Sequence, residues 1–97
     1  MVQTAQSVWV YTGQKRLVLE KPRSLNRIFF SVQVVADPAA QHSIRLSFGD
    51  PLFVSYYVLD WSARYFQAEG EDIFQGDVWV FNPSDSSLLI SLTEILH

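Results

Sequence analysis

The side chains with types suited to chemistry in this 97-residue sequence are two histidines, ten carboxylates and one cluster of aromatic rings. His42 stands in a turn beside Gln41, and His97 is the last residue. Neither has a serine, threonine or acid at the spacing of a nucleophile and its base. Asp60 with Glu69 or Asp72 is the carboxylate pair that could act as acid and base on a glycosidic bond. Acids on loops are more often solvated charges, and a domain this small offers little cleft to enclose a sugar. The run Glu69-Gly70-Glu71-Asp72, followed by Asp77, offers oxygen ligands to calcium but lacks the alternating spacing of a calcium loop. There is no G-x-S-x-G, H-E-x-x-H or glycine-rich phosphate loop, and zero cysteines exclude thiol catalysis, disulfides and zinc ribbons. The residues therefore point away from an enzyme, and they call for no cofactor and no metal.

Tyr56, Tyr57, Trp61 and Tyr65, with Phe66 beside them, form the best candidate for ligand binding. Exposed rings of this kind stack on sugar faces, with Asp60 and Arg64 placed to bind hydroxyls. The same rings also fill sandwich cores and subunit interfaces, since an amphipathic aromatic suits a site with one dry and one wet end.

Strand signals recur every eight to twelve residues, and no stretch has sustained helical periodicity with caps. The strands expected are 7–11, 16–19, a long run within 25–36, 44–48, 52–58, 65–67, 77–82 and 87–96. Turns fall at Thr12-Gly13-Gln14, Asp37-Pro38-Ala39-Ala40, Gly49-Asp50-Pro51 and Pro83-Ser84-Asp85-Ser86. Residues 59–64 read either as a single helical turn or as an irregular crossing. Seven or eight strands in one short chain predict an all-β fold, an antiparallel two-sheet β-sandwich of jelly-roll or immunoglobulin-like kind. Residues 1–7 have no core-forming pattern and read as a short arm that orders on docking. Residues 8–97 read as the single sandwich domain.

Three strands carry large apolar groups on both faces. Val8 and Val10 alternate with Trp9 and Tyr11, Phe30 and Val32 follow Phe29, and Val78 and Val80 alternate with Trp79 and Phe81. A one-sided sheet needs only one such face. Trp9, Tyr11, Phe29, Trp79 and Phe81 are thus the candidate interface with a second subunit or another protein. A homo-oligomer is expected.

The composition, 48% apolar and 18% charged, is that of a folded domain. The net charge of −3 conceals two unlike halves. Residues 1–48 hold six Lys and Arg against two acids, whereas residues 49–97 hold Arg64 against eight acids. Either the halves interleave in the sandwich, or a basic edge meets an acidic edge on a neighbour. A pI near 5.1 argues against a nucleic-acid partner. Lys15, Arg16 and Arg23 suit local docking onto an acidic protein surface instead. No apolar run approaches a transmembrane length, so no membrane partner is expected. The first residues lack the features of a signal peptide, which points to synthesis in a cytoplasm.

The segments Tyr65-Phe66-Gln67-Ala68-Glu69, then 72–82, then Leu89-Ile90-Ser91-Leu92-Thr93-Glu94-Ile95 resemble small β-sandwich accessory proteins of tailed bacteriophage virions. The resemblance spans residues 45–97 and lies in pattern rather than identities. It implies a non-enzymatic virion component, either a head decoration (cement) protein docked on the major capsid protein or a knob of the tail or fibre. It also implies a trimer before a dimer, and it transfers no catalytic residue. A carbohydrate- or receptor-binding sandwich is the alternative.

Overall fold

The computed structural model describes residues 1–35, 42–60 and 62–97. Its strands are β1 (Val2–Val10), β2 (Lys15–Leu19), β3 (Arg27–Val35), β4 (Ile44–Phe48), β5 (Tyr57–Leu59), β6 (Tyr65–Glu69), β7 (Val78–Phe81) and β8 (Leu88–Leu96). They form two four-stranded antiparallel sheets, β1-β8-β3-β6 and β2-β7-β4-β5. We refer to these as the first and second sheets. The two-sheet sandwich expected from the strand spacing is therefore present. Among the described strands only β4 and β5 are neighbours both in sequence and in a sheet. That order is the jelly roll's, not the hairpin-rich immunoglobulin arrangement.

Among the described residues every ladder joins one of β1–β4 to one of β5–β8. The chain is in effect one long hairpin with its tip between β4 and β5, rolled so that its two arms zip together. The basic first half and the acidic second half are consequently interleaved strand by strand. Arg27 bonds Glu94 across one such ladder at 2.8 Å.

Alternation decides what lies between the sheets. Val8, Val10, Phe30, Val32, Val34, Leu88, Ile90 and Leu92 point inward from the first sheet, and Ile44, Leu46, Val78 and Val80 meet them from the second. One end of the core is aromatic. Phe30, Phe66 and Phe74 surround Phe48 with ring centroids 5.3–6.0 Å from it, in tilted or edge-on contacts.

Two expected boundaries move. Residues 1–7 are not a free arm, because β1 pairs with β8 from Val2↔Leu96 to Val10↔Leu88. Their side chains are exposed on both faces, so no burial pattern marks them; the backbone ladder alone orders them. The strand expected at 52–58 shrinks to β5. Upstream of it, the Asp50 carboxylate accepts hydrogen bonds from the N–H groups of Leu52 (2.9 Å) and Val54 (2.8 Å), and Phe53 takes a φ of 55°. A residue in that region cannot continue a strand. At 60–63, Asp60 and Ala63 exchange backbone hydrogen bonds, which reverses the chain into β6. The turn expected at 37–40 lies outside the described residues.

Those N–H donors hold the Asp50 carboxyl below the usual carboxylate range, with a smaller contribution from Lys15. Because the folded value is the depressed one, the contribution to stability is present above the ordinary carboxylate pKa. It is lost as pH falls through the folded value. The loop 49–56 is therefore expected to loosen in acid, below about pH 4. Amide hydrogen exchange at Leu52 and Val54 should quicken there. Asp50→Asn should abolish that pH dependence; an unchanged acid response in the variant would assign it to other carboxylates.

Candidate functional site

The outer face of the first sheet is built in rows by the ladder register. One row is Trp9–Leu89–Val35, with Trp9 and Val35 each half exposed (50%). At the far end of the same strands lies Gln3–Ile95–Phe29, edged by Glu69. Between them the rows are polar, with Ser7, Ser91, Gln33 and Tyr65, then Ala5, Thr93, Ser31 and Gln67. Trp9 and Phe29 thus share a face but sit at its opposite ends, about 20 Å apart along the strands. Tyr11 follows β1 and is exposed.

Trp79 and Phe81 point outward from the second sheet, on the other side of the molecule. Their rows are Leu17–Trp79–Ser47 and Lys15–Phe81–Arg45. The sequence alone places large rings outward here, but the chain covers part of them itself. Phe53, carried by the Asp50 turn, packs on Phe81 with centroids 5.9 Å apart. The Lys15 ammonium lies 5.7 Å from the Phe81 ring and 5.6 Å from the Phe53 ring, and the Arg45 guanidinium stacks 4.7 Å from Tyr56. Trp79 and Phe81 are both half-buried, Phe81 beneath Phe53 and Lys15, and the five interface candidates do not form one contiguous patch.

The candidate sugar-binding rings also separate. Tyr56 lies over Arg45 outside the second sheet, and Tyr65 stands on the outer face of the first, where its hydroxyl donates to Gln67 Oε1. Tyr57 faces inward at the open side of the sandwich, 5.4 Å from Phe48 and 5.5 Å from Phe66, though 57% exposed. Trp61 lies outside the described residues. Tyr56, Tyr57 and Tyr65 make no common platform.

The candidate acids and histidines fare similarly. Asp60 accepts from Ser62 and Ala63 within its own turn, and those bonds hold its carboxyl below the usual range. Glu69 is at the opposite end of β6, a strand of five residues, so the two carboxylates stand farther apart than a glycosidase pair. His42 Nε2 lies 3.8 Å from the exposed Asp85. Among the described residues no cluster of His, Cys, Asp or Glu is arranged to hold a metal ion. Of the docking cations, Lys15 lies on the second sheet and Arg23 in the loop past β2's far end. Arg16 Nη1 donates to the Trp9 carbonyl at 2.9 Å.

Two buried polar residues, Arg27 and Asn82, do not follow from the strand alternation. Arg27 is fully buried, because a register shift between Arg27 and Phe29 turns it into the sandwich. Its Nε meets Glu94 at 2.8 Å, Nη1 donates to the carbonyls of Phe74 (2.9 Å) and Gly76 (2.8 Å), and Nη2 donates to Glu20 (3.0 Å). Gln75 bonds the Arg27 backbone in both directions, at 2.7 and 2.6 Å. A Cβ at Gly76 would come within 2.6 Å of the Phe74 ring, so glycine lets that loop close on the guanidinium. The sequence does hold a clue: Glu94 is a lone acid in the inward series Leu88, Ile90, Leu92, and such a charge calls for a buried cation. A cavity of about 460 Å³ opens beside this plug, lined by Asn26, Ile28, Glu71 and His97 as well as Arg27 and Gln75. The guanidinium and the Gln75 amide that face it are already bonded within the fold. Asn82 closes the other end: its amide donates to the Val10 and Ser86 carbonyls at 2.9 and 2.7 Å, and its Oδ1 accepts from Ser84.

No protein-family model matches the sequence, and no curated protein matches it. Among solved structures the chain is similar to a chain of a Nora virus structure, with 8% sequence identity and a TM-score of 0.56. The similarity covers 97% of the present chain and 55% of that one, so the chain spans about half of its neighbour's length. At this identity the likeness is one of fold alone.

Proposed function

We propose that the protein is a structural, non-enzymatic component of a virus particle. The observation that supports this is the jelly-roll strand order, taken with the likeness in fold of nearly the whole chain to a chain of the Nora virus structure. Capsid proteins use this sandwich, as do lectin domains and cupins. The site chemistry fits a building role better than the other two. The acids and histidines are dispersed, whereas apolar rows lie on outer faces where packing against a neighbour would bury them.

Within that reading the finer assignment is a decoration protein of a bacteriophage head, oligomeric and docked on the major capsid protein. Its support is the resemblance of residues 45–97. Basic side chains such as Lys15, Arg23 and Arg45 would meet an acidic partner surface, with apolar contacts supplying the affinity. The test is to purify particles by density gradient from the organism carrying this gene and to quantify the chain by mass spectrometry. It is expected at a fixed stoichiometry to the major capsid protein, and a reconstruction would show which shell position it occupies. Abundance in the cell extract with absence from particles would overturn the proposal. Binding on a glycan array by the particle-free protein would favour the carbohydrate reading.

A further inference from the structure

We propose that the open edge of β1 pairs antiparallel with β1 of a second copy of this chain, about a twofold axis at Gln6. The two first sheets then join into one of eight strands. This goes beyond the virion reading and fails separately from it, since a virion protein can be monomeric in solution.

The four sheet edges are not alike. β5 has three residues and β6 has five, ending on Glu69. β2 carries Lys15 and Arg16 and is broken by a register shift between Leu17 and Leu19. Short length, charge and bulges are the devices that keep edges from pairing. β1 has none of them: its nine residues contain no charge and no proline, and its ladder with β8 runs without a shift.

The hydrogen-bond pattern shows which groups that edge offers. The Val34 N–H donates to the Arg64 carbonyl on the β6 side. In an antiparallel sheet each residue turns both backbone polar groups to one neighbour, alternating along the strand. Val35 and Gln33 therefore face β8, their partners Leu89 and Ser91 face β3, and the even residues of β8 face β1. It follows that Val2, Thr4, Gln6, Val8 and Val10 bond β8, and that Gln3, Ala5, Ser7 and Trp9 present theirs to the open edge. Arg16's bond to the Trp9 carbonyl, from outside the sheet, agrees; that oxygen keeps a second lone pair.

Only odd residues can exchange bonds across the new junction, which restricts the register. Centring the twofold on Gln6 satisfies this and pairs the whole strand, Gln3 with Trp9 and Ala5 with Ser7. Centres on Ala5 or Ser7 leave residues of β1 without partners. On the inner side Val2 meets Val10, Thr4 meets Val8, and the two Gln6 amides meet on the axis as donor and acceptor. On the outer side each Trp9 joins the partner's row Gln3–Ile95–Phe29. The two apolar ends of the face, remote within one copy, become neighbours across the junction. No like charges are opposed, and the strand is its own complement, as an isologous contact requires.

The full chain is expected to show twice its 11.1 kDa mass by light scattering at tens of micromolar. Gln6 is exposed, so substitution there spares the monomer fold. Gln6→Lys and Gln6→Glu, each opposing like charges on the axis, should both give a monomer, and their equimolar mixture should recover the dimer. Native-chain hydrogen exchange gives a second readout that needs no variant. The amides of Ala5 and Ser7 should be protected at high concentration and lose protection on dilution. A monomeric or trimeric native mass, a variant that dimerises like the native chain, or exposed Ala5 and Ser7 amides at high concentration would overturn the proposal.

Discussion

Replacing Arg27 with methionine is expected to lower folding stability by about 3–5 kcal/mol. Methionine has a similar length and fills much of the space, so the loss is electrostatic rather than one of volume. It strands the Glu94 carboxylate in a site where its side chain is only 14% exposed, and it orphans the carbonyls of Phe74, Gly76 and Glu20. Each such group loses a partner that water cannot readily replace. Arg27→Lys should fall between the two, since one ammonium cannot reproduce the fork that reaches three directions at once. The double change Arg27→Met with Glu94→Met should recover part of the loss, because the stranded charge is gone. Urea unfolding followed by tryptophan fluorescence measures all four proteins. A loss below about 1 kcal/mol for Arg27→Met would mean that water reaches the site and that the plug is not dry.

Phe30→Ala should cost about 3–5 kcal/mol, a large share of the 5–15 typical of a domain. The ring is 1% exposed, touches Phe48 and Phe66 at 6.0 and 5.7 Å, and lies 5.3 Å from the Arg27 guanidinium. Its removal leaves a cavity between sheets that are held apart by the remaining aromatics. Phe29→Ala provides the internal comparison: the same chemical change one residue earlier, on the outer face, should cost roughly 1 kcal/mol. Equal losses at the two positions would contradict the strand's inward and outward assignment.

Where a strand had one buried face, its alternation was readable in advance. Ile44, Leu46 and Phe48 alternate with Arg45 and Ser47, and β4 runs over those five residues. The apolar centres of β7 and β8 were equally plain. Periodicity reports burial, however, and not hydrogen bonding. The polar residues Gln3, Thr4, Gln6 and Ser7 bury nothing, so only the ladder to β8 reveals that they are strand. The opposite error came at Leu52, Phe53 and Val54, which read as strand yet belong to a turn set by one carboxylate. That turn carries Phe53 onto Phe81, which is why outward rings proved half covered. Arg27 was hidden for a third reason: a one-residue register shift, which no local pattern announces, exchanges in for out. The dispersal of Tyr56, Tyr57 and Tyr65 follows from alternation together with strand order, and the latter is a long-range property.

The pairing of the first four strands with the last four has a consequence during synthesis. At about 5–20 residues per second, this chain takes several seconds to make. Until β5 and its successors leave the ribosome, β1 to β4 have no sheet partner among the described strands, and Phe29, Phe30 and Phe48 wait unshielded. Among the described strands β1 must wait longest, because its one ladder is to β8, the last of them to be made. Folding thus falls at the slow, high-contact-order end of small domains, in milliseconds to seconds. In that interval a nascent first half is a natural client for a chaperone. A chain severed at the tip between β4 and β5 would yield two pieces, neither holding any of the described ladders within itself, and neither would gain this structure until it met the other.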